Sequence, residues 1–156
     1  MTHGSGDEVG PLARLFAMAY RDLVENLHLR LAERGWHDVR PAFGFVLLAV
    51  RDRRLTSTDI AGLMGTTKQA ASKLVAAMED AGYVSHRAHP DDSRAKLVAL
   101  TGRGERLLAE VEEIYRGLEG EWAHLIGGPG VEALRRDLTT VLRASHGGRL
   151  PPVRPT

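Results

Sequence analysis

Apolar residues return every third or fourth position from Leu12 through Leu15, Phe16, Ala19, Leu23 and Leu27 to Leu31, which predicts an amphipathic helix ending near Gly35. Pro41 suits the first turn of a second helix that carries Phe43, Phe45, Val46, Leu47 and Leu48. Ile60, Leu63 and Met64 mark a third, with Thr56 or Ser57 as its N-cap, Asp59 in its opening turn and Gly65 at its end. Thr66 and Thr67 then cap a helix from about Lys68 to Ala81, closed by Gly82. On that helix Ala71, Leu74, Val75 and Met78 share one face, and Gln69, Ser72, Lys73 and Ala76 the other. The period changes after Gly82. Val84–Ala88 and Lys96–Leu100 read as strands, separated by the turn formers His89, Pro90, Asp91, Asp92, Ser93, Arg94 and Ala95. Thr101 caps a long helix that carries Leu107, Leu108, Val111, Ile114, Leu118, Trp122 and Leu125; it breaks at Gly127 to Gly130, and a last helix carries Leu134, Leu138, Val141 and Leu142.

Helix, glycine turn, helix and hairpin in this order describe a winged helix-turn-helix in a mainly α chain, with a two-stranded β-wing and a helical dimerisation region drawn from both termini. The expected organisation is a flexible N-terminus (1–10), one unit over 11–146, and a flexible tail (147–156). Within the unit, 51–101 form the winged helix-turn-helix, and 11–50 with 102–146 the dimerisation helices. Short polar side chains at a helix start reach base edges without holding the backbone out of a groove. Gln69 suits adenine; Lys68 or Lys73 suits guanine or phosphate; Thr66, Thr67 and Ser72 suit phosphate oxygens. At the hairpin tip, Arg94 suits a narrow minor groove, with Asp92 placed to hold its guanidinium, while Arg87 and Lys96 add positive charge. The competing readings are a solvated helix face and a surface Asp92–Arg94 pair worth little.

The strings HPDDSRAKLVALTGRG and IAGLMGTTKQAASKLVAAMEDAGYV carry a resemblance to the MarR family of bacterial transcriptional regulators, which extends from about Leu12 to about Ser145. The first is similar to the family's aspartate–x–arginine wing motif followed by leucine–threonine–x–x–glycine, the second to its helix-turn-helix. The resemblance implies major-groove and phosphate contacts from Thr66, Thr67, Lys68, Gln69, Ser72 and Lys73, and a minor-groove contact from Arg94 supported by Asp92. It also implies a homodimer that intertwines its terminal helices and reads an inverted repeat in double-stranded DNA. Where the family's wing opens with aspartate before proline, this chain has His89.

Composition narrows the alternatives. The 156 residues are 43% hydrophobic and 26% charged, ordinary for a globular domain. The net charge is only +1, so any DNA affinity has to come from a local basic surplus and should depend strongly on salt. With no cysteine, thiol redox sensing, thiolate zinc sites and cysteine nucleophiles are excluded. No apolar run is long enough to span a bilayer, and MTHGSGDEVG lacks a signal-peptide layout, so a cytoplasmic protein is expected. His86 and His89 lie on strand and wing, where alternation argues against a shared metal. No nucleophile elbow, phosphate-binding glycine loop or carboxylate pair suggests an enzyme, and no cofactor is expected.

Apolar stripes on long terminal helices call for a partner, and a second copy is the expected one. Trp36, His37, Arg40 and Phe43, at the junction of the first two helices, combine aromatic surface with a cation and suit a small aromatic anion such as a phenolic acid; the alternative is hinge packing. The expected function is a sequence-specific DNA-binding regulator, a repressor released by such an effector. The rival is a winged-helix module used for protein contact or ligand sequestration, which has no need of Lys68, Gln69, Lys73 and Arg94 at groove-reading positions.

Overall fold

The computed structural model describes residues 10–153; the N-terminal stretch read as flexible, apart from Gly10, and the last three residues of the tail lie outside the described residues. The elements are α1 (Leu12–Glu33), α2 (Pro41–Arg51), α3 (Ser57–Met64), α4 (Lys68–Asp80), β1 (Val84–Ala88), β2 (Lys96–Leu100), α5 (Gly102–Ile126) and α6 (Gly128–Ser145). This is the mainly helical winged fold the pattern anticipates.

Threonines start three of the helices. Thr56 accepts from the Asp59 amide at 3.1 Å while the Asp59 carboxylate accepts from the Thr56 amide at 3.0 Å, a reciprocal box that decides between Thr56 and Ser57. Thr67 accepts from the Ala70 amide and Thr101 from the Gly104 amide, each at 3.1 Å. Glycines end three helices in the same way, with Gly65 (φ +66°) closing α3, and two of these motifs are followed by an aromatic residue. At the end of α1 the Trp36 amide reaches back to the Leu31 carbonyl and Gly35 (φ +91°) to Ala32; at the end of α4 the Tyr83 amide reaches Met78 and Gly82 (φ +84°) reaches Glu79. Each of these two motifs therefore delivers an aromatic residue, Trp36 or Tyr83, at a fixed exit angle.

The strands pair antiparallel from Val84 opposite Leu100 to Ala88 opposite Lys96. Leu55 adds one rung: the Val98 amide donates to its carbonyl at 2.7 Å, tying the approach to α3 to the wing. A single bridge leaves no period in the sequence, so this rung is not legible there. One apolar cluster runs from Leu27 and Leu31 through Phe43, Val46, Leu47, Ile60, Val75, Met78 and Val98 to Leu107, Ile114 and Leu118. It joins the helical region and the winged lobe through common residues.

One feature differs from the sequence reading. The break after α5 is the single residue Gly127 (φ +83°), because Gly128 begins α6 and Pro129 fits its first turn, where a missing amide hydrogen costs nothing. Gly117 and Gly120 leave α5 continuous. The apolar stripe of α5 is buried as far as Leu118, while Trp122 is half-buried, Leu125 is exposed and α6 has no buried residue, so a single chain leaves the terminal stripes uncovered.

Candidate nucleic-acid interface

The α3–Gly65–α4 turn sets α4 with Ala71, Val75 and Met78 in the core, Leu74 half-buried, and Thr66, Thr67, Lys68, Gln69, Ser72 and Lys73 all exposed. Burial thus follows the division of faces read from spacing. The first turn of α4 holds no acidic residue, which leaves its uncapped amides and the positive end of the helix dipole facing outward.

The wing tip is organised by side chains that stand in for backbone. Asp92 Oδ1 accepts from the Arg94 amide at 2.9 Å, and the Ala95 amide donates to the Asp92 carbonyl at 3.2 Å. Asp92 therefore holds the backbone of Arg94, not its guanidinium as expected from the sequence: two residues apart in a tight turn, carboxylate and amide meet while the long side chain extends outward, exposed. His89 plays a similar part, its Nδ1 accepting from the Asp91 amide at 3.0 Å, the kind of bond an aspartate makes. His86 turns its Nδ1 toward Glu79 Oε2 at 2.5 Å, away from His89's turn, and no group of three or more potential metal ligands occurs among the described residues.

The cations of this face are unpaired: none of Lys68, Lys73, Arg87, Arg94 and Lys96 has a carboxylate within 4.0 Å among the described residues. By contrast Arg30 pairs with Glu121, Arg34 with Glu110 and Glu113, Arg51 with Glu112, and Arg135 with Glu119. Those scaffold pairs are exposed and each contributes little to stability. Arg14, Arg40, Arg53, Arg54, Arg106, Arg116, Arg143 and Arg149 also have no carboxylate within 4.0 Å among the described residues, so what marks α4 and the wing is the grouping of five such cations on adjacent elements.

The residues read as an effector site do not line one cavity. Phe43 is buried with its ring 6.0 Å from Tyr83, and Trp36 lies 6.1 Å from Tyr83 on another side. The cation over Trp36 is Arg103, 5.0 Å from the indole and 4.9 Å from the Tyr83 ring; Arg40 lies 5.7 Å from Phe43, and His37 is exposed. The Tyr83 hydroxyl donates to Asp38 at 2.5 Å, and Arg103 donates to the Ala81 carbonyl at 3.2 Å. Burial, joined by the hydrogen bond and charge of Asp38, pushes Tyr83 up to about 12 despite the opposing Arg103, so it is a neutral donor. Asp38, Tyr83 and Arg103 were missed in the sequence. The usable signal was that both aromatics directly follow helix-closing glycines.

An apolar cavity of about 340 Å³ lies instead between α1, α2 and α5, walled by leucines and valines, with Tyr20, His28, Arg40, Glu112 and Tyr115 as its polar points and Val153 of the tail also lining it. Burial lowers His28 against the raising effect of its hydrogen bond with the Val39 backbone, and burial first, then Tyr20 and Glu112, pushes Tyr115 up to about 12. Among the described residues no helix is long and apolar enough to cross a membrane.

Residues 39–95 match the model of the MarR family, a span running from just before α2 through α3 and α4 to the wing tip. The fold of the chain is similar to that of the reduced form of MarR from E. coli, with a TM-score of 0.75 and 23% identity over 87% of this chain and 99% of that one. It is also similar to a mutant of S. aureus MepR bound to an oligodeoxyribonucleotide, with a TM-score of 0.61 and 21% identity over 88% and 99% of the two chains. The exopolysaccharide II synthesis transcriptional activator ExpG of Rhizobium meliloti (strain 1021) is 25% identical over 135 residues, 86% of this chain; the chain spans 66% of that relative's length. The matched MarR segment contains every singled-out residue of the α4–wing face except Lys96, and leaves out α1, α5 and α6.

Proposed function

We propose that this chain is a member of the MarR family and a sequence-specific DNA-binding transcriptional regulator that acts as a homodimer on an inverted repeat. The observation that carries the reading is the set of cations on α4 and the wing that have no acidic partner, beside an exposed, acid-free helix start. An unneutralised basic face supplies the counterion-release term on which nucleic-acid affinity rests. The oligodeoxyribonucleotide held by the MepR mutant of the same fold supports it. Gln69 with Lys73 reads bases in the major groove, Thr66, Thr67, Lys68 and Ser72 hold phosphates, and Arg87, Arg94 and Lys96 serve the wing contacts, with Asp92 shaping the tip. Two copies related by a C2 axis present their α4 helices about 34–36 Å apart, one helical turn of DNA. Whether such a protein represses or activates follows from where its operator lies relative to the promoter; ExpG is an activator.

The test is a randomised duplex selection followed by titration at several salt concentrations. Arg94→Ala weakens binding and lowers the slope of log affinity against log salt by about one. Gln69→Ala relaxes preference at one base step by about 1–3 kcal/mol. Wild-type behaviour in both variants would overturn the contact assignments.

The effector reading moves to the cavity between α1, α2 and α5, with Arg40 retained from the residues first considered. Its apolar wall, neutral Tyr115 phenol and flanking Arg40 suit a small aromatic acid, the ring among leucines and the carboxylate toward the guanidinium. A panel of phenolic acids is expected to raise the melting temperature of the wild type and lower its duplex affinity, a coupling of about 1–3 kcal/mol. Leu48→Trp, which fills the cavity, abolishes both effects. A panel that gives neither effect in the wild type would count against the pocket.

A further inference from the structure

A second, polar cleft of about 440 Å³ opens between the start of α3, the first turns of α4 and the wing, and its lining includes Thr56, Thr58, Lys68, Ser72, His86 and Lys96. With Ser57 and Arg94, which also line it, two ammonium groups, one guanidinium and four hydroxyls meet there. The carboxylate that reaches it, Asp92, gives Oδ1 to the Arg94 amide, and Asp59 on α3 is engaged by the Thr56 amide. His86 differs from the other lining residues in being tethered from behind, its Nδ1 2.5 Å from Glu79 Oε2, with the side chain 25% exposed. An ionised carboxylate only accepts, so Nδ1 carries the hydrogen and Nε2 is the ring atom left for the cleft. With the ring neutral, Nε2 is an acceptor; with the ring protonated, it is a donor suited to an anionic oxygen.

Imidazole is the side chain able to change charge near neutral pH. The charged groups that face the cleft or His86 are Glu79 and Lys68 on α4 and Asp92, Arg94 and Lys96 on the wing. An oxyanion seated there meets the three cations and is itself an acceptor for a protonated ring. We infer that this cleft is a seat for a single phosphate-type oxyanion, held by Lys68, Lys96, Thr58 and His86, and that the anion enters together with a proton taken from solvent onto His86 Nε2. The inference rests on the DNA-binding reading only for the source of the phosphate, which is the strand passing between α4 and the wing or a free phosphate ester. Affinity for the anion therefore rises as pH falls.

The histidine ring resonances of the full chain, followed by NMR, test it first with inorganic phosphate and then with a duplex from randomised selection. Phosphate is expected to shift the His86 ring saturably, while sodium chloride at equal ionic strength does not. Wild-type duplex affinity should be about three- to tenfold greater at about pH 6 than at about pH 8, beyond any change in His86→Gln. His86→Arg, a fixed cation, should bind tightly at both. If His86→Gln keeps the wild-type pH response while duplex binds, the seat is wrong and the DNA reading stands. A shift with phosphate when no duplex binds leaves the seat as one for a free phosphate ester and removes the DNA reading. No selective shift with either probe overturns the seat.

Discussion

Replacing Leu138 and Leu142 together with aspartate is expected to turn the protein into a folded monomer and to weaken duplex binding by about 10²–10⁴-fold. The helix they occupy, α6, carries no buried residue in a single chain, yet Leu134, Leu138, Val141 and Leu142 follow one another at helical spacing, exposed by 41%, 38%, 61% and 40%. Leu12, Leu15 and Phe16 leave a similar uncovered face on α1. Apolar surface on two terminal helices is what a second copy would cover, whereas the core from Leu27 to Leu118 needs nothing from α6. Carboxylates at the α6 positions would be desolvated in a dimer and solvated in a monomer, so they act against association far more than against folding. The large effect on DNA follows from linkage: two half-sites bound by one particle gain an effective concentration that a monomer lacks. Sedimentation measures the mass, circular dichroism the retained helix, and fluorescence anisotropy the affinity. A wild type already monomeric, or a variant still dimeric, would remove the basis for the inverted-repeat reading.

How much of this was legible in the sequence depends on the range of the interaction that writes each feature. Caps, glycine stops and hairpin boundaries are local: Thr67, Gly65, Gly82 and the strands Val84–Ala88 and Lys96–Leu100 fall where residue chemistry put them. Burial on α4 is periodic and so was also readable; Gln69, Ser72 and Lys73 are outward because Ala71, Val75 and Met78 are inward. The junction was not, because Asp38, Tyr83 and Arg103 come from three separate stretches of chain and meet only after α1 and α4 have ended. Trp36 looked like ligand surface because its true cation, Arg103, is far away in sequence while Arg40 is near. The error about Asp92 has the opposite origin. Charge complementarity suggested a carboxylate–guanidinium pair, but at a separation of two residues in a turn the amide is the nearer donor.

Within α5, two glycine-to-alanine changes are expected to have opposite signs. In an ordinary helix interior, alanine stabilises relative to glycine by about 0.5–1 kcal/mol, because glycine loses more freedom on folding. Gly120 meets that condition, since nothing lies within 4 Å of where its Cβ would stand. Gly104 does not. A Cβ there would stand 2.1 Å from the Tyr83 carbonyl oxygen, a backbone atom that cannot rotate aside. The same oxygen accepts from the Thr101 amide at 3.1 Å, and the Thr101 hydroxyl donates to the Gly82 carbonyl at 2.5 Å, so the first turn of α5 is bonded to the segment it would have to leave. Retreat in the other direction pushes the fully buried Tyr83 ring into Trp36 and Phe43. Gly104→Ala should therefore cost about 1–3 kcal/mol, the range of overpacking in a close-packed interior. That lowers the melting temperature by roughly 2–10 °C, whereas Gly120→Ala raises it. Tyr83 sits between the end of α4 and the start of the wing, so the displacement also misaligns the two DNA-reading elements; affinity in Gly104→Ala should fall even at temperatures where the chain is fully folded. If instead both substitutions stabilised the protein, the close approach of α5 to Tyr83 would not exist as described, and the coupling of the helical region to the winged lobe would have to run through other contacts.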